Sequence, residues 1–122
     1  PIDFDNCPNF KFKVTNSDKN KKEVSWKAFA QTINKTFEEN GYADDQKIGQ
    51  YFISEHEFKI FGEKIIFDKL FSYIWEEVLD SSSRDLIFEP TILSFQKLHV
   101  LANSQGLIFS ETFLMQLLGS EG

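Results

Sequence analysis

The chain has 122 residues, a formal net charge of −6 and one cysteine, the size of a single domain with no internal disulfide. Fourteen Phe, two Trp and three Tyr supply a real apolar core and exclude a disordered chain. No apolar run reaches the length of a membrane span and no basic-then-apolar leader opens the chain. A cytoplasmic location is expected, with no membrane partner. An acidic domain also meets nucleic acid only through a local patch.

Phe10, Phe12 and Val14 alternate with Lys11 and Lys13, the period of a short half-buried strand. Residues 15–22 are polar throughout and read as a solvated loop. The first strong helix starts after Ser25, a good N-cap residue. It places Trp26, Phe29, Ala30, Ile33 and Phe37 on one face, with Lys27, Gln31, Asn34 and Lys35 mostly on the other. Asn40-Gly41 ends it. The stretch 47–53 is too apolar for a simple loop and too short for a defined helix.

A second helix is predicted from Glu63 to Leu79, with a stripe of Phe67, Leu70, Phe71, Ile74, Trp75 and Val78. Asp80 and the serines after it end that helix and cap a short one through Arg84 to Phe88, before Glu89-Pro90 breaks the chain. Two more helices follow. The first covers 91–104 and turns Leu93 or Leu98 inward, with Gly106 as its terminal cap. The second follows Ser110 and ends at Gly119. The expected fold is mostly α: a small bundle of about four to five helices with a short strand-like N-terminal segment.

Chemistry is scarce. None of the six glycines is followed by Lys, so a phosphate-binding loop is missing. Glu76 and Glu77 end an apolar run as magnesium-binding acids do, but their neighbours repeat with helical period and place them in solvent. His56, His99 and Cys7 lack metal-ligand spacing, and Ser81-Ser82-Ser83 reads as a cap, not a nucleophile. No catalytic residue and no metal site are expected.

Three ordered segments resemble the C-terminal region of McrB-type AAA+ proteins, the motor subunits of modification-dependent restriction systems. They are Val24-Ser25-Trp26-Lys27-Ala28-Phe29 with Ile33-Asn34; Asp44-Asp45-Gln46-Lys47-Ile48-Gly49-Gln50-Tyr51-Phe52-Ile53; and Lys69 to Val78, read as Tyr73-Ile74-Trp75-Glu76-Glu77 at its centre. Arg84 and Phe88 follow at about the family's distance. The resemblance covers roughly Val24 to Phe88.

The resemblance implies an N-terminal strand and loop over 1–23 and a helical, lid-type domain over 24–122. It implies that the phosphate-binding loop lies in an upstream core domain of a longer polypeptide, which binds ATP or GTP with Mg. The chain itself holds no cofactor. Partners are that core and neighbouring subunits, with DNA and a nuclease subunit reached only through the parent protein. Lys47, Gly49, Gln50 and Arg84 are the nucleotide-proximal candidates, Gly49 by allowing close backbone approach. Gln50 and Tyr51 stand where some relatives carry His and Ser. A lid would leave an apolar face bare near Ile48 to Ile53. The alternative is a self-contained helical protein-interaction module.

Overall fold

The computed structural model describes residues 2–119. After a short 3-10 turn at Phe4–Asn6, strands β1 (Lys11–Thr15) and β2 (Lys21–Ser25) form an antiparallel hairpin, with Phe12 opposite Val24 and Thr15 opposite Lys21. Phe12, Val14 and Val24 are buried on its inner face. The fold class therefore differs from the expected one. The chain is a small mixed α/β domain with a two-stranded sheet, not a helical bundle with a strand-like fringe.

The reason lies in β2. Its Lys21, Lys22 and Glu23 are all exposed, so it lacks the alternation that marks a strand and is held by backbone pairing. The turn is equally unmarked, having no glycine. Asn16, 2 % exposed, closes it by accepting the amides of Asp18 and Asn20 on its side-chain oxygen. Lys19 takes the left-handed conformation at φ 65°.

β2 runs straight into α1 (Trp26–Glu39), whose N-cap Ser25 accepts the Ala28 amide. Trp26, Phe29, Ala30, Ile33 and Phe37 are fully buried as the spacing predicts, and Gly41 follows the helix at φ 79°. Asn34 does not lie on the outer face; it is buried.

A 3-10 turn at Asp44–Gln46 precedes α2 (Glu55–Phe61), a helix not anticipated, because the charged residues within it conceal its apolar positions. Its markers were local. Ser54 and Glu57 form a reciprocal capping box, and Gly62 closes it at φ 65°.

The helix expected from Glu63 is present as helical turns over 64–78, with π-helical segments at Ile66–Phe71 and Ile74–Val78. Its buried positions run 66, 70, 74 and 71, 75, 79. A repeat of four, rather than alternating three and four, stays on one face only where turns are wider than 3.6 residues. The Leu79 amide accordingly donates to the Ile74 carbonyl, 2.9 Å away. Glu76 and Glu77 are exposed.

Beyond a 3-10 turn at Arg84–Leu86 lie α3 (Phe95–Asn103) and α4 (Glu111–Leu118). The helix predicted over 91–104 begins four residues later, at Phe95. Ser94, not a residue near Thr91, supplies the N-cap, and Thr91 instead bonds the Glu89 carboxylate. Leu98 is buried whereas Leu93 is 85 % exposed. After α3, Gln105 rather than Gly106 takes the left-handed turn, at φ 58°. α4 follows the expected pattern, with Ser110 capping the Phe113 amide and Gly119 at φ 64°.

Phe29 is the hub of the core. Its ring meets Phe12 of the hairpin, Phe71 of the π-helical segment, Phe109 and Phe113, at centroid distances from 5.0 to 6.3 Å. Among the described residues, no helix is long and apolar enough to cross a membrane.

Candidate functional site

Residues 46–50 are where the three quoted segments meet. Asn34, on the third turn of α1, donates from Nδ2 to the Ile48 carbonyl at 2.8 Å and accepts the Ile48 amide on Oδ1 at 2.6 Å. One buried amide side chain thus satisfies both backbone groups of Ile48, as a neighbouring strand would. Trp26 donates its indole N–H to the Gln50 carbonyl at 2.9 Å. Tyr73 donates its hydroxyl to the Gln46 carbonyl at 3.0 Å, and its ring lies 5.4 Å from that of Phe52. Burial pushes the Tyr73 phenol pKa up, with the charges of Glu77 and Asp45 adding to it; the hydroxyl therefore stays a donor.

A further tie comes from α2. Lys69 stands over the Phe52 ring, 5.3 Å from its centroid, and pairs with Glu57 at 3.2 Å. The bond from the Ser54 backbone, together with Lys69, holds the Glu57 carboxyl below its ordinary range. The result is an irregular segment whose backbone is fixed from three sides, with Ile48 and Ile53 fully buried and Tyr51 62 % exposed.

Lys47, Gly49 and Gln50 lie together on this segment. The Lys47 ammonium is engaged by Asp44 at 3.1 Å and Glu38 at 3.7 Å. The hydrogen bond to Asp44, then the charges of Asp44 and Glu38, raise its pKa against partial desolvation. Gly49 has an ordinary backbone conformation, and a Cβ built there meets nothing within 4 Å. Among the described residues, nothing requires a glycine at this position. Gln50 accepts the Asp3 amide on its side chain at 3.1 Å.

Arg84 is bonded elsewhere. Its guanidinium lies 4.3 Å from the Trp75 ring centroid and donates from Nη2 to the Trp75 carbonyl at 3.1 Å, which caps the end of the π-helical segment. The serine run acts on Asp80, whose carboxylate accepts Ser82 and Ser83; those bonds, led by Ser82, lower its pKa. His99 stacks on Phe67, and among the described residues no cluster of His, Cys, Asp or Glu forms a metal site.

Trp26, Asn34 and Tyr73 were read from the sequence as packing or helix residues, not as the holders of this segment. The signal for Asn34 was an amide flanked by core positions in a helix. No protein-family model matches the chain, nor does any curated protein or solved structure.

Proposed function

We propose that the chain is a lid-type domain of a nucleotide-driven motor of the McrB-like AAA+ class. In this reading it closes over a nucleotide held by an upstream core domain and passes the change to neighbouring subunits, without chemistry of its own. The observation that carries the proposal is the convergence of all three resembling segments on 46–50. Trp26 and Asn34 come from the first, the segment itself is the second, and Tyr73 belongs to the third. Residues scattered over about fifty positions serve one preformed piece of backbone, as a docking element requires.

Open space over Gly49 gives a core-domain backbone room to approach. Lys47, held by two exposed carboxylates, is the cation that a phosphate would draw off. Arg84 serves the internal architecture. The nucleotide, ATP or GTP with Mg, belongs to the core, and any DNA or nuclease subunit to the assembled motor in the cytoplasm.

One observation favours a second reading, a self-contained interaction module. Ile48 and Ile53 are packed inward rather than left bare, against what a lid was expected to show. The face offered by 46–53 is instead Tyr51 and open glycine backbone. The two readings separate on the natural polypeptide that contains this chain. The lid reading expects a phosphate-binding loop upstream of Pro1 and hydrolysis of ATP or GTP by that polypeptide. A natural polypeptide with no such loop ends it and leaves the interaction module.

A further inference from the structure

A second concave surface lies away from 44–53, and no residue of that segment lines it. It is a cleft of about 320 Å³ between β1, the helical turns after Glu63 and the end of α3, at the small end of the volumes that hold organic ligands. Its floor is apolar: Phe12, Phe71 and Phe109 are each 5 % exposed or less. Its rim is charged, and the charges are unequally satisfied.

Of the two rim carboxylates, Asp68 pairs with Lys64 at 3.9 Å, while Glu63 accepts only the neutral Lys13 backbone amide at 3.4 Å. Among the described residues Lys13 and Lys21 have no carboxylate partner, and neither ammonium lies within ion-pair distance of one. That holds although Glu23 stands opposite Lys13 in the strand register. Lys21 donates only to the neutral side-chain oxygen of Gln105. The register puts Lys13 and Lys21 on diagonal positions of one face of the hairpin, the face opposite Phe12 and Val14, and both line the cleft at its rim. A chain of net charge −6 thus carries three lysines, Lys13, Lys21 and Lys64, against two carboxylates, Glu63 and Asp68, around an apolar pocket, and local field rather than net charge selects the ligand.

We propose that this cleft binds a small amphipathic organic anion: an apolar ring or short chain against the phenylalanine floor, its carboxylate or phosphate between Lys13 and Lys21. The inference is independent of the lid reading, since the two surfaces share no residue.

The test is a titration of the ¹⁵N-labelled chain, followed by NMR, with 3-phenylpropionate, phenyl phosphate, neutral 3-phenylpropionamide and inorganic phosphate. At least one of the two aromatic anions is expected to give saturable shifts at Lys13, Thr15, Phe67 and His99. Which of them does so identifies the headgroup. The amide and inorganic phosphate should each bind about tenfold more weakly, since one lacks the charge-assisted bond and the other the apolar body. The double variant K13E/K21E, altered only at exposed positions, should lose about tenfold in affinity for that anion while keeping its dispersed spectrum. Binding of the amide as tight as that of the anions, binding unchanged in K13E/K21E, or no saturable shift at these residues overturns the proposal.

Discussion

Asn34 is the residue on which the site depends most. Replacing it with Ala removes both bonds to Ile48 and leaves a buried amide and carbonyl unpaired. Asn34→Ala should cost about 2–3 kcal/mol in urea denaturation; a loss below about 0.5 kcal/mol, the range of surface changes, contradicts the role given to it. Gly49 tests the opposite property. Because an added Cβ meets nothing and the backbone is unstrained, Gly49→Ala should leave the stability of the chain unchanged or raised by up to about 1 kcal/mol. Nucleotide hydrolysis by the natural polypeptide should nevertheless fall if a neighbour's backbone approaches there. Full activity in that variant argues against such an approach.

Glu57 carries a pH dependence of known sign. Its carboxyl is held below the ordinary value of 4.5. Its contribution is therefore complete above 4.5 and is lost as acid carries the pH down through the folded-state value. Glu57→Gln cannot titrate, so the stability gap between wild type and variant should hold from neutrality to about pH 4.5 and narrow as the pH falls further. A gap that stays constant in chemical denaturation below that pH shows that the capping-box bonds do not act through charge.

At the scale of elements, legibility followed how much each element relies on its own side chains. α1 and α4 advertise themselves by apolar spacing and by serine caps, and both were read nearly to the residue. α2 was missed because no residue in it is buried, so only its capping box announced it. β2 was missed because backbone pairing holds an almost wholly exposed strand. The stretch 47–53 stood out as too apolar for a loop, but the conformation there depends on Trp26, Asn34 and Tyr73, which bond residues 14 to 27 positions away, and no local pattern reveals that. The hairpin turn offers a measurable consequence. Lys19 pays a left-handed penalty at φ 65° that glycine avoids, so Lys19→Gly should stabilise the domain by about 1 kcal/mol in thermal or urea unfolding. A destabilising effect means that the Lys19 side chain contributes contacts that outweigh the strain.

Over the whole molecule, one phenylalanine-centred core joins the hairpin, α1, the π-helical turns and α4, and on its outside holds a short irregular segment in a fixed shape. Four side chains are committed to backbone groups: Asn34 to Ile48, Trp26 to Gln50, Tyr73 to Gln46 and Arg84 to Trp75. Such an arrangement fits a part that presents a shaped surface to something else. The most direct measurement is hydrogen–deuterium exchange across 44–53 in the natural polypeptide, with and without a slowly hydrolysed ATP or GTP analogue. The Ile48 amide should be protected in both states, and the amides of Gln50 and Tyr51 should gain protection when nucleotide binds. Exchange in 44–53 that is the same with nucleotide bound as without it contradicts the lid.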